Sequence, residues 1–209
     1  MLFKLYNKLY KSAYNFSVLN TLFTNIILLK RIIPILYIGK KTSIINKSGF
    51  LNITGKVYID SKNSGQFFFD SHIVLEKDSK LNIANNVNFF SGAQIKCFQN
   101  SEITIDKDTY FSGPIVIHSK MKIKIGSNCS ISWGVTIIDS DFHSIENQSI
   151  KSEEVIIEND VWIGCNVTIL KGVKIHSGSI IAAGSIMTKS TLQKGVYAGN
   201  PAKLIKDLK

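Results

Sequence analysis

Acidic side chains are missing from the first 59 residues, which hold nine Lys and Arg (Lys4, Lys8, Lys11, Lys30, Arg31, Lys40, Lys41, Lys47 and Lys56) and neither Asp nor Glu. From Asp60 onward sixteen basic residues face fifteen acidic ones, so the net charge of +10 belongs to the N-terminal stretch. The nearly neutral remainder lacks the basic face, interleaved with aromatic stacking partners, that nucleic-acid binding needs. Cysteine is scarce too. Cys97, Cys129 and Cys165 show no C-x-x-C spacing, which excludes a disulfide framework and gives no zinc or redox motif. A reducing, cytoplasmic setting is the simplest expectation. No apolar run reaches the ~20 clean residues of a membrane span, because Lys30, Arg31 and Pro34 break the stretch from Leu22 to Ile38. Nor does a small-residue cleavage site follow a short apolar core, so no secretory signal is expected, although an acid-poor transit peptide shares this composition. Disorder is excluded as the main state by 44% apolar and 10% aromatic residues.

What is present begins with an amphipathic pattern. At about 100° per residue, Lys4, Lys8 and Lys11 fall on one side of a helix and Leu2, Leu5, Tyr6, Leu9 and Phe16 on the other. Residues 1–43 therefore read as a basic, apolar helical extension. Residues 1–40 could attach peripherally to an anionic membrane surface at its inner face, or form an arm that caps one end of the core or packs on a neighbouring subunit.

From about residue 83 aliphatic residues recur every six positions. Ile83, Phe89 and Ile95 form one set of three, followed by Ile105, Phe111 and Ile117, then Ile125, Ile131 and Ile137, then Ile157, Ile163 and Ile169, and finally Ile175, Ile181 and Met187. A second apolar residue stands two positions before many of them, as at Ile123, Val135, Val155, Val161, Val167 and Val173. Turn residues occupy the intervals at fixed phase, including Gly126, Asn128, Asp160, Gly172, Gly178 and Gly184. Residues two apart on a strand share a face, so each apolar pair plus a turn makes one flat side, and three sides close a triangular coil. The period predicts an all-β fold, a parallel β-helix over residues 44–206, with residues 44–82 as early, distorted coils. An antiparallel sandwich would instead show period two with turns every 8–12 residues.

Between Ile137 and Ile157 the phase jumps by twenty residues. The inserted segment, 138–154, contains Asp139, Asp141, His143, Glu146, Glu153 and Glu154. A long loop in a compact domain is commonly functional. A histidine flanked by carboxylates has the composition of a general base near neutral pH, whereas a lone histidine in a polar loop is otherwise a solvated bystander.

The run VWIGCNVTILKGVKIHSGSIIAAGSIMTKS, followed by GVYAGNPAKLIK from Gly195 to Lys206, resembles the left-handed β-helix acyltransferases of the hexapeptide-repeat family. The segment ISWGVTIIDSDFHSI, from Ile131 to Ile145, is similar to the subgroup that O-acetylates bacterial surface polysaccharides and their sugar precursors. The resemblance implies a left-handed coil, acetyl-CoA as acyl donor, a glycan or sugar acceptor, and a homotrimer with active sites between subunits. It places the catalytic base at His143, with Asp139 or Asp141 orienting the imidazole. It places Cys165 and Ala183 along the pantetheine arm, where Gly184 is a further small residue that leaves room for it, and Thr188, Lys189, Lys203 and Lys206 near the nucleotide. Trp162 would pack over the reacting end of donor or acceptor, or lie outward at a subunit seam. The chemistry agrees: a pantetheine chain fits where side chains are small, and phosphates need fixed cations.

Two departures from the family pattern stand out. The acceptor-binding asparagine of galactoside-type members is replaced around Ser112–Pro114, which leaves the acceptor open. Cys165 stands where Ser or Gly is commoner, but it has no histidine neighbour in sequence, and direct transfer needs no acyl-cysteine. Two other classes compete. A zinc hydratase on the same coil would show an H-x-x-x-x-H pair, which His72, His118, His143 and His176 do not form, so no metal site is expected. A non-catalytic scaffold would have no use for the acidic loop or for Thr188-Lys189.

Overall fold

The computed structural model describes residues 17–30, 34–39, 41–60, 69–144 and 149–209. The expected basic helix up to Phe16 lies outside these residues, as does Glu146 of the inserted loop.

The chain winds through three walls in turn, so strands three apart in sequence become neighbours. Wall one comprises β1 (Leu36–Ile38), β4 (Val57–Ile59), β7 (Val87–Phe89), β10 (Tyr110–Phe111), β13 (Ser130–Ile131), β16 (Trp162–Ile163), β19 (Ile180–Ile181), β21 (Gly195–Gly199) and β22 (Ala202–Asp207). Wall two comprises β2 (Thr42–Asn46), β5 (Ser71–Leu75), β8 (Ala93–Cys97), β11 (Ile115–Ser119), β14 (Val135–Ile138), β17 (Thr168–Ile169) and β20 (Ile186–Met187). Wall three comprises β3 (Phe50–Ile53), β6 (Lys80–Ile83), β9 (Glu102–Ile105), β12 (Lys122–Ile125), β15 (Val155–Ile157) and β18 (Lys174–Ile175). Every pairing is parallel except the last, β21 with β22, which is antiparallel. This is the parallel β-helix that the six-residue period predicts, with the left-handed coil that the family resemblance implies.

Each sixth-position residue points inward and stacks on its counterpart one coil away. Ile95, Ile117, Ile137 and Ile169 form one such ladder, and all of them are buried. Fully burying each such side chain contributes about 1.5–3 kcal/mol. Phe89 and Phe111 thicken the wall-one ladder with rings stacked 4.5 Å apart. Cys129, at an inward phase, is buried core.

Of the turn residues at fixed phase, Asn128, Asp160, Gly172, Gly178 and Gly184 adopt left-handed backbone. At the corner between walls three and one, Asn86, Asp108, Asn128 and Asp160 all have φ near +60°, which Asn and Asp tolerate better than most side chains. Their side chains also bond coil to coil, with Asn86 Nδ2 donating to Asp108 at 2.9 Å and Asn128 Nδ2 to Asp160 at 2.6 Å.

The early coils are more regular than the sequence suggested. β2 pairs with β5, and β3 with β6, in continuous register, so Ile53, Ile59 and Ile73 continue the ladders beneath Ile83, Phe89 and Ile95 respectively. The extra residues between β4 and β5 shift the sequence phase without shifting the register.

The N-terminal edge of the coil is capped by α1 (Val18–Ile27), whose N-cap Ser17 accepts from the Asn20 N–H. Two buried polar residues tie the helix to β1. Asn25 donates to Leu36 O at 2.6 Å and accepts from the Ile35 and Leu36 N–H groups, while Thr21 Oγ1 accepts from Ile38 N–H at 3.1 Å. The helix thereby satisfies backbone groups that an open sheet edge would leave exposed. Its outer side keeps Leu19, Phe23, Ile26 and Ile27 exposed. Among the described residues no helix is long and apolar enough to cross a membrane.

Candidate active site

The inserted loop leaves wall two at β14 and returns at β15. Its neck is a short antiparallel ribbon: Glu153 N–H donates to Asp139 O at 2.9 Å, Asp141 N–H donates to Lys151 O at 3.1 Å, and Ser140 bridges Ser152. Asp139 occupies the next inward step after Leu75, Cys97 and Ser119. Its carboxylate is fully buried and accepts from Ser119 Oγ (2.6 Å), Lys120 N–H (2.7 Å) and Met121 N–H (2.9 Å). Burial, helped by the Asp139 charge, pushes the neighbouring Cys97 thiol up to about 12. Asp141 reaches outward to Lys171 Nζ at 2.6 Å.

His143 lies beyond this neck and is exposed. Neither carboxylate turns to it: Asp139 is taken up by the preceding coil and Asp141 by Lys171. Among the described residues no hydrogen bond joins His143 to either one. The expected contact is therefore not made; the two aspartates hold the neck from which the histidine projects. Phe142, with φ of +60° and its N–H donating to Ser140 Oγ at 3.2 Å, turns back onto wall two, where its ring meets Phe98 at 5.3 Å and His118 at 6.3 Å. The loop thus starts out over the corner between walls two and three.

The residues expected along the acyl donor divide between two corners. At the corner between walls one and two, Trp133, Cys165 and Ala183 stack in one column, linked by Asn166 N–H to Trp133 O (2.9 Å) and Gly184 N–H to Cys165 O (2.8 Å). The coils approach so closely that a Cβ on Gly164 would lie 2.6 Å from Ala183 N. Gly184, at φ +72°, has nothing within 4 Å of where a Cβ would stand. This small-residue groove opens to solvent. Above it, Gly199 N–H donates to Ser185 Oγ at 3.1 Å and Ala182 N–H to Tyr197 O at 2.8 Å. The turn leading into Lys203 therefore caps the same column. Thr188 and Lys189 are exposed at the other corner, between walls two and three, two coils beyond the loop. Lys206 lies on β22 opposite Val196, away from the groove.

One wall separates the corners. From Ala183 to Thr188 is five residues, at most about 17 Å of extended chain. In a single chain the histidine loop and Thr188-Lys189 thus occupy one edge of wall two, and the Trp133–Cys165–Ala183 groove with Lys203 the other.

Two features escaped the sequence reading. Trp133, 45% exposed, is in the groove column, whereas Trp162 sits outward on wall one between Ser130 and Ile180. The phase would have found it, since Trp133, Cys165 and Ala183 each follow an inward isoleucine by two. Trp133 also explains the departure around Ser112–Pro114: a Cβ on Gly113 would approach Trp133 Cβ to 2.8 Å, so the tryptophan covers that step. The second feature is the cluster of Lys96, Phe98, His118 and Lys120 under Phe142, which no motif marks.

Residues 154–189 match the family described as bacterial transferase hexapeptide (six repeats). The fold is also that of a polySia-specific acetyltransferase, NeuO, with TM-score 0.60 and 26% identity over 80% of this chain and 87% of that one. The polysialic acid O-acetyltransferase OatWY aligns with TM-score 0.59 and 28% identity over 82% and 84%. Residues 154–189 thus carry the hexapeptide repeat of that transferase family, and the fold around them is similar to that of these acetyltransferases. In sequence the chain is 54% identical over 63 residues to a probable macrolide acetyltransferase of Lysinibacillus sphaericus, which is 30% of this chain and 34% of that protein. The chain thus spans about a third of the length of that curated relative.

Proposed function

We propose that the protein is an acetyl-CoA-dependent O-acetyltransferase acting on a sugar hydroxyl of a bacterial surface polysaccharide or its precursor. The observation that carries this reading is the pairing of two incomplete half-sites on one chain. One edge of wall two offers an exposed histidine on a tethered neck, and the other a small-residue groove under a lysine-bearing cap. A homotrimer in which the loop edge of one subunit meets the groove edge of the next would unite them. The likeness to NeuO and OatWY, which act on polysialic acid, supports a glycan acceptor.

In the proposed reaction the pantetheine arm runs along Cys165, Ala183 and Gly184, with Trp133 and Trp162 flanking its reacting end. Lys203 approaches the nucleotide from above, while Thr188, Lys189 and Lys206 of adjoining subunits supply further donors. His143 removes the proton from the acceptor hydroxyl as its oxygen attacks the thioester carbonyl. The tetrahedral intermediate, its oxyanion held by backbone N–H groups, collapses with cleavage of the C–S bond. The imidazolium then returns the proton to the departing thiolate, leaving an acetyl ester and free coenzyme A. Asp139 and Asp141 act through the neck. The apolar outer side of α1, together with the basic residues that precede it, would hold the enzyme peripherally on the cytoplasmic face of a membrane, near lipid-linked acceptors.

Mass spectrometry of glycans incubated with acetyl-CoA tests the reading through a gain of one acetyl group. His143→Ala is expected to keep assembly and coenzyme A binding while lowering turnover roughly 10²–10⁴-fold. Unchanged turnover would reassign the base, and no transfer to any glycan would remove the proposal.

A further inference from the structure

The corner beneath the histidine loop carries aromatic and cationic groups that the transfer step does not use. Phe98 and Phe142 present two half-buried rings with centroids 5.3 Å apart, joined by the His118 imidazole edge-on to both at 6.3 Å. Two ammonium groups lie over these rings. Lys96 Nζ is 4.0 Å from the Phe98 centroid, and Lys120 Nζ is 5.6 Å from Phe98 and 5.4 Å from Phe142. Lys96 has a carboxylate partner, Glu76 at 3.2 Å. Among the described residues Lys120 has none, since Asp139 takes its backbone N–H and not its side chain. His118 adds no like charge beside it, because burial first, and Lys96 second, hold that imidazole below its usual range. Among the described residues an ammonium without a carboxylate partner thus stands over a ring wall whose last member, Phe142, is the residue before His143.

We propose that Phe98, Phe142 and Lys120 form an acceptor subsite for a carboxylate-bearing sugar, presenting one of its hydroxyls to His143. The proposal rests on the O-acetyltransferase reading and adds the chemical class of the acceptor. Aromatic faces pack against the C–H face of a pyranose, and an ammonium without a partner at that edge binds a carboxylate with a charge-assisted hydrogen bond. A neutral sugar would use the rings and leave Lys120 unanswered. An anionic sugar satisfies both. Phe142 links recognition to chemistry, because the residue that stacks on the sugar also sets where the next residue projects.

The experiment compares the whole protein and its Lys120→Gln, Lys120→Arg and Phe98→Leu variants. The acceptors are a sialic acid oligomer and the same oligomer with its carboxyl groups reduced to alcohols. Lys120→Gln is expected to fold as the parent does, since Asp139 binds only the backbone at that position. With the acidic oligomer its KM should rise about 10-fold, the equivalent of 1.4 kcal/mol, with KM for acetyl-CoA unchanged. With the reduced oligomer it should equal the parent. Lys120→Arg should restore most of the loss, and Phe98→Leu should raise KM for both acceptors. Equal use of both oligomers by the parent, or no change in Lys120→Gln, overturns the subsite while leaving the transferase reading in place. Transfer to neither oligomer but to a neutral glycan also overturns the subsite, and no transfer to any glycan overturns the transferase reading and the subsite with it.

Discussion

Asp139 offers a sharp test, because a carboxylate beside a histidine invites a catalytic reading that the structure replaces with a structural one. The side chain is fully buried at an inward ladder position and receives three donors from the preceding coil. In Asp139→Ala the Ser119 hydroxyl can turn to Glu102 O, which already lies 3.4 Å away. The Lys120 and Met121 N–H groups have no such choice. Leaving each unsatisfied costs about 1–3 kcal/mol, so a loss of about 3 kcal/mol or more is expected with the vacated volume included. At about 2–4 °C per kcal/mol for a chain of this size, the melting temperature should fall by about 6–12 °C. Asp139→Asn retains one oxygen but sets an amide NH₂ against a backbone N–H, and should fall by about 2–6 °C. Asp141→Asn breaks only a partly exposed ion pair with Lys171 and should cost at most about 1 kcal/mol. Thermal unfolding followed by circular dichroism reads all three. An Asp139→Asn protein that melts with the parent but has lost turnover would refute the argument and return Asp139 to the imidazole.

Further outcomes follow from the core and from wall two. Phe89→Ala removes one of two stacked rings from the fully buried wall-one ladder and should destabilise by about 3–5 kcal/mol in urea unfolding; a loss below about 1 kcal/mol would mean that the coils close over the gap. His118 has its pKa lowered by burial and by Lys96, so the unfolded chain binds its proton more readily than the folded one. Its contribution to stability is therefore complete above the unfolded value of about 6.5 and lost as pH falls through that value toward the lower folded one. His118→Gln should flatten the dependence of unfolding free energy on pH below about 6.5, and an unaltered slope would assign it to other groups.

The ladder was open to reading because an inward side must be apolar at every sixth step, and Ile125, Ile131 and Ile137 could do nothing else. The loop was equally open, since no coil side absorbs twenty residues. The task of Asp139 was not. Its place after Ile137 reads as the first loop residue, and only the stacking of Ser119 beneath it shows that it is the last step of the wall. The phase of residues 44–82 misled for a related reason: Ile59 and Ile73 are fourteen positions apart instead of six, yet β4 and β5 keep the register of their own walls. The division of Cys165 and Ala183 from Thr188 and Lys189 was hidden because neighbours in sequence can face different edges of a prism. The Lys96–Phe98–His118–Lys120 cluster leaves no motif at all, being gathered from adjacent coils and completed by Phe142 where the loop sets out.

The strictly parallel stacking between β14 and β20 has a consequence for spacing. Each turn of the coil advances the chain by one strand separation, about 4.8 Å, and the histidine neck stands two such steps from Thr188. The fold is in effect a graduated rod, on which the number of turns, and no hinge or domain movement, fixes how far the histidine neck lies from Thr188. Splicing in one extra turn between Leu170 and Val173 would keep every ladder intact yet slide the terminal lysines a full notch away, a change of gauge that a substrate of fixed length could not follow.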